Sequence, residues 1–397
     1  MSEFVLLLGA RLMGGSYIDA IHQEKHKAVV VDVRANLDRW SDICDVAIEL
    51  SEDSPEAWVA AALAAARSHP LAAVIAYADE QVIAAAIVAQ LQGLPSPGLL
   101  AAIASRNKST IRSINSFASL PQPRALISPY VGLAELGGVE TSVVVQKVLG
   151  GAGSEGVSLV AKCDAPIPSE GPVILEEYVE GDYFSSELFI ADGEIVFTNH
   201  TSKTSGGPPE FVDLGHLVGV RLPRGVSREA ERMLRSIVSG YRIAWGIVHI
   251  EWISACGRLA IIEFAVRTPG DFLMYGIERA HGFDAFGAVV RIGLGHKPLA
   301  AVHHHRSVGV SFFPIVEGDP GSALDLIKDR WAESGLYIGY WRSEQAARRL
   351  ESSDDRNHHV LVVGDDERAA RQLALEIQAA LHEHAWNAEQ SNARERV

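Results

Sequence analysis

The sequence predicts a mixed α/β (α+β) protein of more than one domain, and three observations carry that expectation. The chain opens in β-α-β order, with an apolar run at residues 4–8, a glycine-rich turn at 9–15, a helical segment at 16–23 and a second apolar run at 28–33. Later, the apolar pairs Ile247-Val248 and Ile261-Ile262 flank two glutamates, Glu251 and Glu263, and Ala255-Cys256-Gly257-Arg258 between them reads as the turn of a β-hairpin. With 397 residues the chain is longer than one core usually grows, so two or three domains are expected.

Taken in order, the opening turn departs from the G-x-G-x-x-G spacing of a dinucleotide site, although Asp32 stands where a ribose partner would. A Rossmann-like unit that positions the next domain is therefore favoured over NAD binding. Ser54-Pro55-Glu56 begins a helix with a capping serine, proline at the first position and an acid in the first turn. It runs to about Ser68. A strand at 72–77 and a helix at 80–91, stopped by Gly93-Leu94-Pro95, complete the unit at residues 1–98.

A helix at 99–104 leads to Lys108, which opens a further helix reaching Phe117. Residues 142–147 form a strand running into a glycine-rich loop, Gly150 to Gly156, after which 157–160 resumes as a strand. Such a hairpin flap lets the backbone N–H groups of small residues approach phosphate, and Lys147 at its base adds a charge. A plain surface hairpin has the same composition. Residues 173–175 read as an edge strand leading into Glu176-Glu177-Tyr178-Val179-Glu180-Gly181, whose backbone suits the edge of a purine. An ordinary acidic loop fits those residues too.

On the late hairpin, Glu251 and Glu263 share a face only if the turn makes them cross-strand neighbours, which an odd loop centred on Gly257 would do. Facing carboxylates need a cation between them, and magnesium suits a site that leaves coordination positions for phosphate and water. Solvent-facing glutamates on an ordinary hairpin are the alternative. Arg267 follows four residues later, within reach of a phosphate or carboxylate in the same cleft.

Composition narrows the partners. Hydrophobic residues make up 48% of the chain, enough for large cores, and the net charge of -15 argues against nucleic acid or an anionic membrane. Small molecules are the expected substrates. Cys44, Cys163 and Cys256 are scattered without metal-ligand spacing, which fits a reducing cytoplasm. No run approaches the roughly eighteen apolar residues of a membrane span, and Met1-Ser2-Glu3 lacks the basic start of a secretion signal, so a soluble cytoplasmic protein is expected.

With Lys108, Lys147 and its glycine flap, the Glu176 to Gly181 segment, and Glu251, Glu263 and Arg267 in this order, the sequence resembles the ATP-grasp ligase superfamily over roughly residues 1–300. Glu263-Phe264-Ala265-Val266-Arg267 followed by Gly270-Asp271 looks like the last motif of ligases that join amino acids. The resemblance implies an N-terminal Rossmann-like domain at 1–98, an ATP-grasp domain at 99–300 with its flap-bearing part at about 125–178, and a C-terminal α+β subdomain at 301–397. It implies ATP and Mg2+ (or Mn2+) as cofactors. Lys108 and Lys147 match the lysines on ATP phosphates, and Gly151, Gly153, Ser154 and Gly156 match the flap. Glu176, Tyr178 and Val179 match the adenine hinge, Glu180 a ribose partner, and Glu187 an acid facing nucleotide or metal. Glu251 and Glu263 match the metal ligands, and Arg267 and Lys147 carry the catalytic charge.

Two positions depart from the pattern. Ala265 stands where many members have a metal-binding asparagine, and Asn107 stands where an acid commonly precedes the first lysine. The activity implied is ATP-dependent joining of a small-molecule carboxylate to an amine through an acyl phosphate, and a homodimer is compatible with it. Alternatives within the resemblance are a purine-pathway, D-alanine-ligase-like or carboxylase-like enzyme, or a non-catalytic nucleotide binder. Residues 199–203, 206–210 with His216, and 268–272 are the expected borders of the substrate pocket, while His303-His304-His305 reads better as a solvated run than as a metal site.

Overall fold

The computed structural model describes residues 3–128, 143–151, 153–154, 156–161, 172–207, 211–301, 306–314, 330–331, 337–338, 353, 356–377 and 379–380. The first unit alternates β1 (Phe4–Leu8), α1 (Gly14–Gln23), β2 (Lys27–Val33), α2 (Arg34–Trp40), β3 (Val46–Leu50), α3 (Pro55–Ser68), β4 (Leu71–Ala76) and α4 (Val82–Gln92). Its strands are parallel in the order β3-β2-β1-β4. Val5 to Leu8 and Ala28 to Val31 are fully buried, as expected of strands covered by helices on both faces. The Ser54 hydroxyl accepts from the Ala57 N–H at 3.2 Å and caps α3, and Gly93 ends α4 in the left-handed region at φ 68°.

The glycine turn is filled by protein. The Trp40 indole lies against α1, donates from Nε1 to the Ala10 carbonyl at 2.7 Å, and leaves no room for a side chain at Gly14 or Gly15. Asp32 accepts from the N–H groups of Ala10 and Val33, both at 2.7 Å, and from Asn36 Nδ2 at 2.9 Å. It braces the turn. Since a Cβ on Gly15 would stand 2.6 Å from the Trp40 ring, Gly15→Ala is expected to cost about 1–3 kcal/mol, read as a lower melting temperature.

Helices α5 (Leu99–Ser105) and α6 (Lys108–Phe117) lead to an antiparallel sheet ordered β5-β8-β6-β7, from β5 (Ala125–Ser128), β6 (Val143–Val148), β7 (Ser158–Ala161) and β8 (Val173–Glu177). Here β6 and β7 form the expected flap hairpin. The expectation of an edge strand before Glu176 is corrected, because β8 is flanked by β5 and β6. Only the loop after it is open.

The third sheet has eight strands in the order β13-β12-β9-β10-β11-β14-β16-β15. Its strands are β9 (Asp182–Ala191), β10 (Glu194–Ser205), β11 (Asp213–Val218), β12 (Gly246–Ala255), β13 (Arg258–Ala265), β14 (Ser307–Pro314), β15 (Tyr337–Ile338) and β16 (Arg356–Gly364). One face of β9 and β12 buries Phe184, Leu188, Val248, Ile250 and Trp252 in a core shared with Met233, Leu234 and Ile237 of α7 (Arg224–Gly240). The other face, at Tyr183, Ser185, Glu187, His249 and Glu251, is polar, and alternation along the strands is what separates the two.

Helices α8 (Leu273–His281) and α9 (Ala285–Gly293) join this sheet to the first unit, with the ring of Tyr17 in α1 edge-on to Phe286 at 5.0 Å. The described strands after residue 300 continue the same sheet through the β11–β14 pair, and residues 367–377 are helical. His303-His304-His305 and residues 208–210 lie outside the described residues.

Candidate active site

The two hairpin glutamates do face each other, for a reason other than the expected odd loop. The turn has two residues, Cys256 and Gly257, both at positive φ (48° and 77°), the geometry that matches strand twist in tight hairpins. From Ala255↔Arg258 to Trp252↔Ile261 the ladder is regular, and continued it would set Glu251 opposite Ile262. A β-bulge inserts one residue there and pairs Glu251 with Glu263.

Glu251 accepts from the Tyr183 hydroxyl and from Lys203 Nζ, with His249 Nε2 at 3.4 Å, while Lys203 also holds Asp213 at 2.7 Å. Burial pushes the Glu251 carboxyl up, but Lys203 and His249 outweigh it and hold it well below the ordinary carboxylate range. Glu263 is freer. Its side chain is 35% exposed, and Lys108 Nζ stands 3.9 Å away.

Lys108 sits in the first turn of α6, where Asn107 caps the helix by accepting from the N–H groups of Ser109 and Thr110 at 3.0 and 3.1 Å. Its Nζ donates to the Gly151 carbonyl of the flap. Lys147 Nζ and Arg112 Nε both lie 2.7 Å from the buried Glu176 carboxylate. Burial raises that carboxyl, and the two cations then bring it down to about 2.

The flap, its sheet and the polar face of the third sheet enclose a cavity of about 650 Å3, within the rough 300–1,000 Å3 of small-molecule sites. Lys108, Lys147, Gly151, Gly153, Ser154, Glu176, Tyr178, Val179, Glu180, Glu251 and Glu263 line it. The flap is down on the cavity, with the Ser154 hydroxyl donating to the Phe211 carbonyl at 3.0 Å and Gly153 O accepting from Ser353 N–H at 2.9 Å. Gly181 lets the hinge lie against β12, since a Cβ there would stand 2.4 Å from the Ser254 carbonyl.

Three expected residues do not line the cavity. Gly156 supports the flap at φ 66°, with no space for a side chain beside Val148. Glu187 is fully buried, and both its oxygens are taken: Oε1 by Ser185 at 2.7 Å and His249 at 3.0 Å, Oε2 by Asn199 at 2.5 Å and Thr201 at 3.3 Å. In this structure Glu187, expected as a metal ligand, faces His249 and not the cavity. Arg267 turns toward the first unit, where Nε and Nη2 hold Asp79 Oδ2 at 2.9 and 2.6 Å.

Lys203, Tyr183, His249, Asp213, Arg112 and Asp79 were not among the expected nucleotide or metal residues, although Lys203 lay in the expected substrate border. For Tyr183, Lys203 and His249, which lie on strands, the available signal was a polar residue at every second position, as in Tyr183-x-Ser185-x-Glu187 and Asn199-x-Thr201-x-Lys203. Burial lowers the His249 pKa, and Glu187 and Glu251 more than reverse this, lifting it to about 9. Its folded pKa lies above its unfolded one, so its contribution is full below about pH 6.5 and is lost toward pH 9. The metal-free protein is expected to melt at falling temperatures over that window, and His249→Gln to flatten the slope.

Adjacent carboxylates with a cavity above them form a hard-oxygen donor set that fits Mg2+ or Mn2+, with Glu251 and Glu263 as its holders. Residues 157–274 match the family model described as the ATP-grasp domain. The chain has the ATP-grasp fold. An L-amino acid ligase from Bacillus licheniformis superposes with TM-score 0.78 at 17% identity, covering 96% of this chain and 98% of that one. A phosphoribosylglycinamide synthetase from Anaerococcus prevotii gives 0.74 at 13% identity, with the same 96% and 98% coverage. A carboxyaminoimidazole ribonucleotide synthase from Aspergillus clavatus, complexed with ATP, gives 0.75 at 15%, covering 96% and 99%. No curated protein matches significantly in sequence. Among the described residues, no helix is long and apolar enough to cross a membrane.

Proposed function

We propose that this chain is an ATP-dependent carboxylate-amine ligase that joins amino acids, or an amino acid and a small acid, through an acyl phosphate. The observation that carries the reading is the Glu251–Glu263 pair on the wall of a cavity that Lys108, Lys147 and the glycine flap also line. Magnesium held by the two glutamates would offset charge on the triphosphate.

A carboxylate resists attack by an amine because it is anionic and would have to expel oxide. Transfer of the γ-phosphoryl group of ATP to a carboxylate oxygen gives an acyl phosphate and ADP; the amine then attacks the acyl carbon, phosphate leaves, and a proton is lost from nitrogen. This chain's part is position and charge, which phosphoryl transfer mostly requires. Lys108 and Lys147 face the cavity from helix and flap strand, and the flap that meets Phe211 and Ser353 keeps water from an intermediate that would hydrolyse. The Glu263 to Arg267 motif with Gly270-Asp271 favours amino-acid substrates.

The test is ADP and phosphate release measured with ATP, Mg2+ and pairs of free amino acids. Release that requires both members of a pair supports the proposal. Release only with a ribonucleotide amine or bicarbonate transfers the chain to another ligase class, and nucleotide binding without turnover on any pair makes it a binder.

A further inference from the structure

The bulge that brings Glu263 opposite Glu251 is gripped by one side chain. Arg112, on the same face of α6 as Lys108, donates from Nη1 to the Ile261 carbonyl at 3.0 Å and from Nη2 to the Ile262 carbonyl at 2.8 Å. Its Nε binds Glu176 Oε1 at 2.7 Å, and Glu176 in turn holds Lys147. The guanidinium side chain is only 7% exposed, so these bonds are made away from water.

We infer that Arg112 is a positioning residue, which holds the bulged backbone at Ile261 and Ile262 so that Glu263 meets the metal beside Glu251, and ties that register to Lys147 through Glu176. The inference rests on the nucleotide and metal reading proposed above. A planar fork with fixed donors reaches two successive carbonyls and a carboxylate at once, which a single ammonium group does not. Without the grip, two carbonyls at a locally broken ladder lose their charged donor, and the Ile261 N–H bond to the Pro121 carbonyl at 2.9 Å is left to resist a slide into the regular register set by the two-residue turn. In that register Ile262 would stand opposite Glu251, and Glu263 would turn to the apolar face. Arg112 itself does not line the cavity, so its effect on the metal runs through the backbone.

Arg112→Lys keeps a positive charge beside Glu176 and loses the fork, and Arg112→Gln keeps hydrogen bonding and loses the charge. Each is to be tested in the full chain for Mn2+ binding in the presence of ATP, by the resonance signal of free Mn2+, and for ATP binding in a metal-free buffer by calorimetry. Both variants are expected to weaken Mn2+ binding about tenfold or more, the usual effect of losing a group behind a metal ligand, while metal-free nucleotide binding moves far less. Wild-type Mn2+ affinity in a folded variant overturns the inference and leaves the ligase reading standing. Equal losses in both assays, or loss of the fold in both variants, reduce Arg112 to a structural residue. A wild-type chain that binds neither Mn2+ nor ATP overturns the ligase reading as well.

Discussion

Glu263→Gln is expected to lower turnover by roughly a hundredfold or more, the size of effect seen when one preorganised charge is removed from a transition state, while ATP binding changes little. Glutamine keeps the volume and removes the charge that a divalent ion needs. Glu263 is the cleaner of the two glutamates to change. Glu251 accepts from Tyr183 and Lys203 with His249 close by, so neutralising it would also strand a buried lysine and confound chemistry with stability. Glu263 is 35% exposed with Lys108 at 3.9 Å, so its variant is expected to melt close to the parent. Steady-state ADP release, calorimetric ATP binding and a melting curve on the same sample check all three parts. Full turnover in the glutamine variant would remove Glu263 from the metal site.

The part of this geometry that was legible in the residues is the part written in local patterns. Continuous apolar runs identified β1, β2 and β4 because both faces of a parallel strand are buried, and Ser54-Pro55-Glu56 marked the start of α3 because its cap is local. The short strand β3 was harder, since Val46–Leu50 buries fully only its last residue, and its alternate positions are half exposed. α7 does carry apolar residues at helical spacing, Ala230, Met233, Leu234, Ile237 and Val238, a signal available in principle. The glutamate pair was legible as a pair but not in its cause. One bulged residue decides which face Glu263 takes, and nothing in Arg258 to Ala265 distinguishes a bulged strand from a regular one until the partner strand is known. Contacts across great separations were out of reach for the same reason. Arg112 meets the carbonyl of Ile262 at 150 residues' distance in the chain, and Asp79 meets Arg267 at 188.

That last pair yields the largest expected loss of stability, and it can be separated from the loss of activity. Arg267 is held by Asp79, and burial of both keeps the pair from water: burial pushes the Asp79 carboxyl up, yet Arg267 draws it below the ordinary range. Arg267→Met leaves that carboxylate buried without its cation, which typically costs about 3–5 kcal/mol. Replacing both members by apolar residues of similar size is often neutral, so Arg267→Met with Asp79→Leu is expected to recover most of the melting temperature. Turnover is expected to follow a different course. If Arg267 steadies the transferred phosphoryl group, both the single and the double variant stay about a hundredfold below the parent, because the missing charge acts on the substrate and not on Asp79. Since Asp79 opens the turn after β4 and Arg267 follows β13, the pair also joins the first unit to the ATP-grasp sheet. A double variant that regains activity along with stability would show that Arg267 serves this joint alone, and the guanidinium would leave the list of catalytic groups.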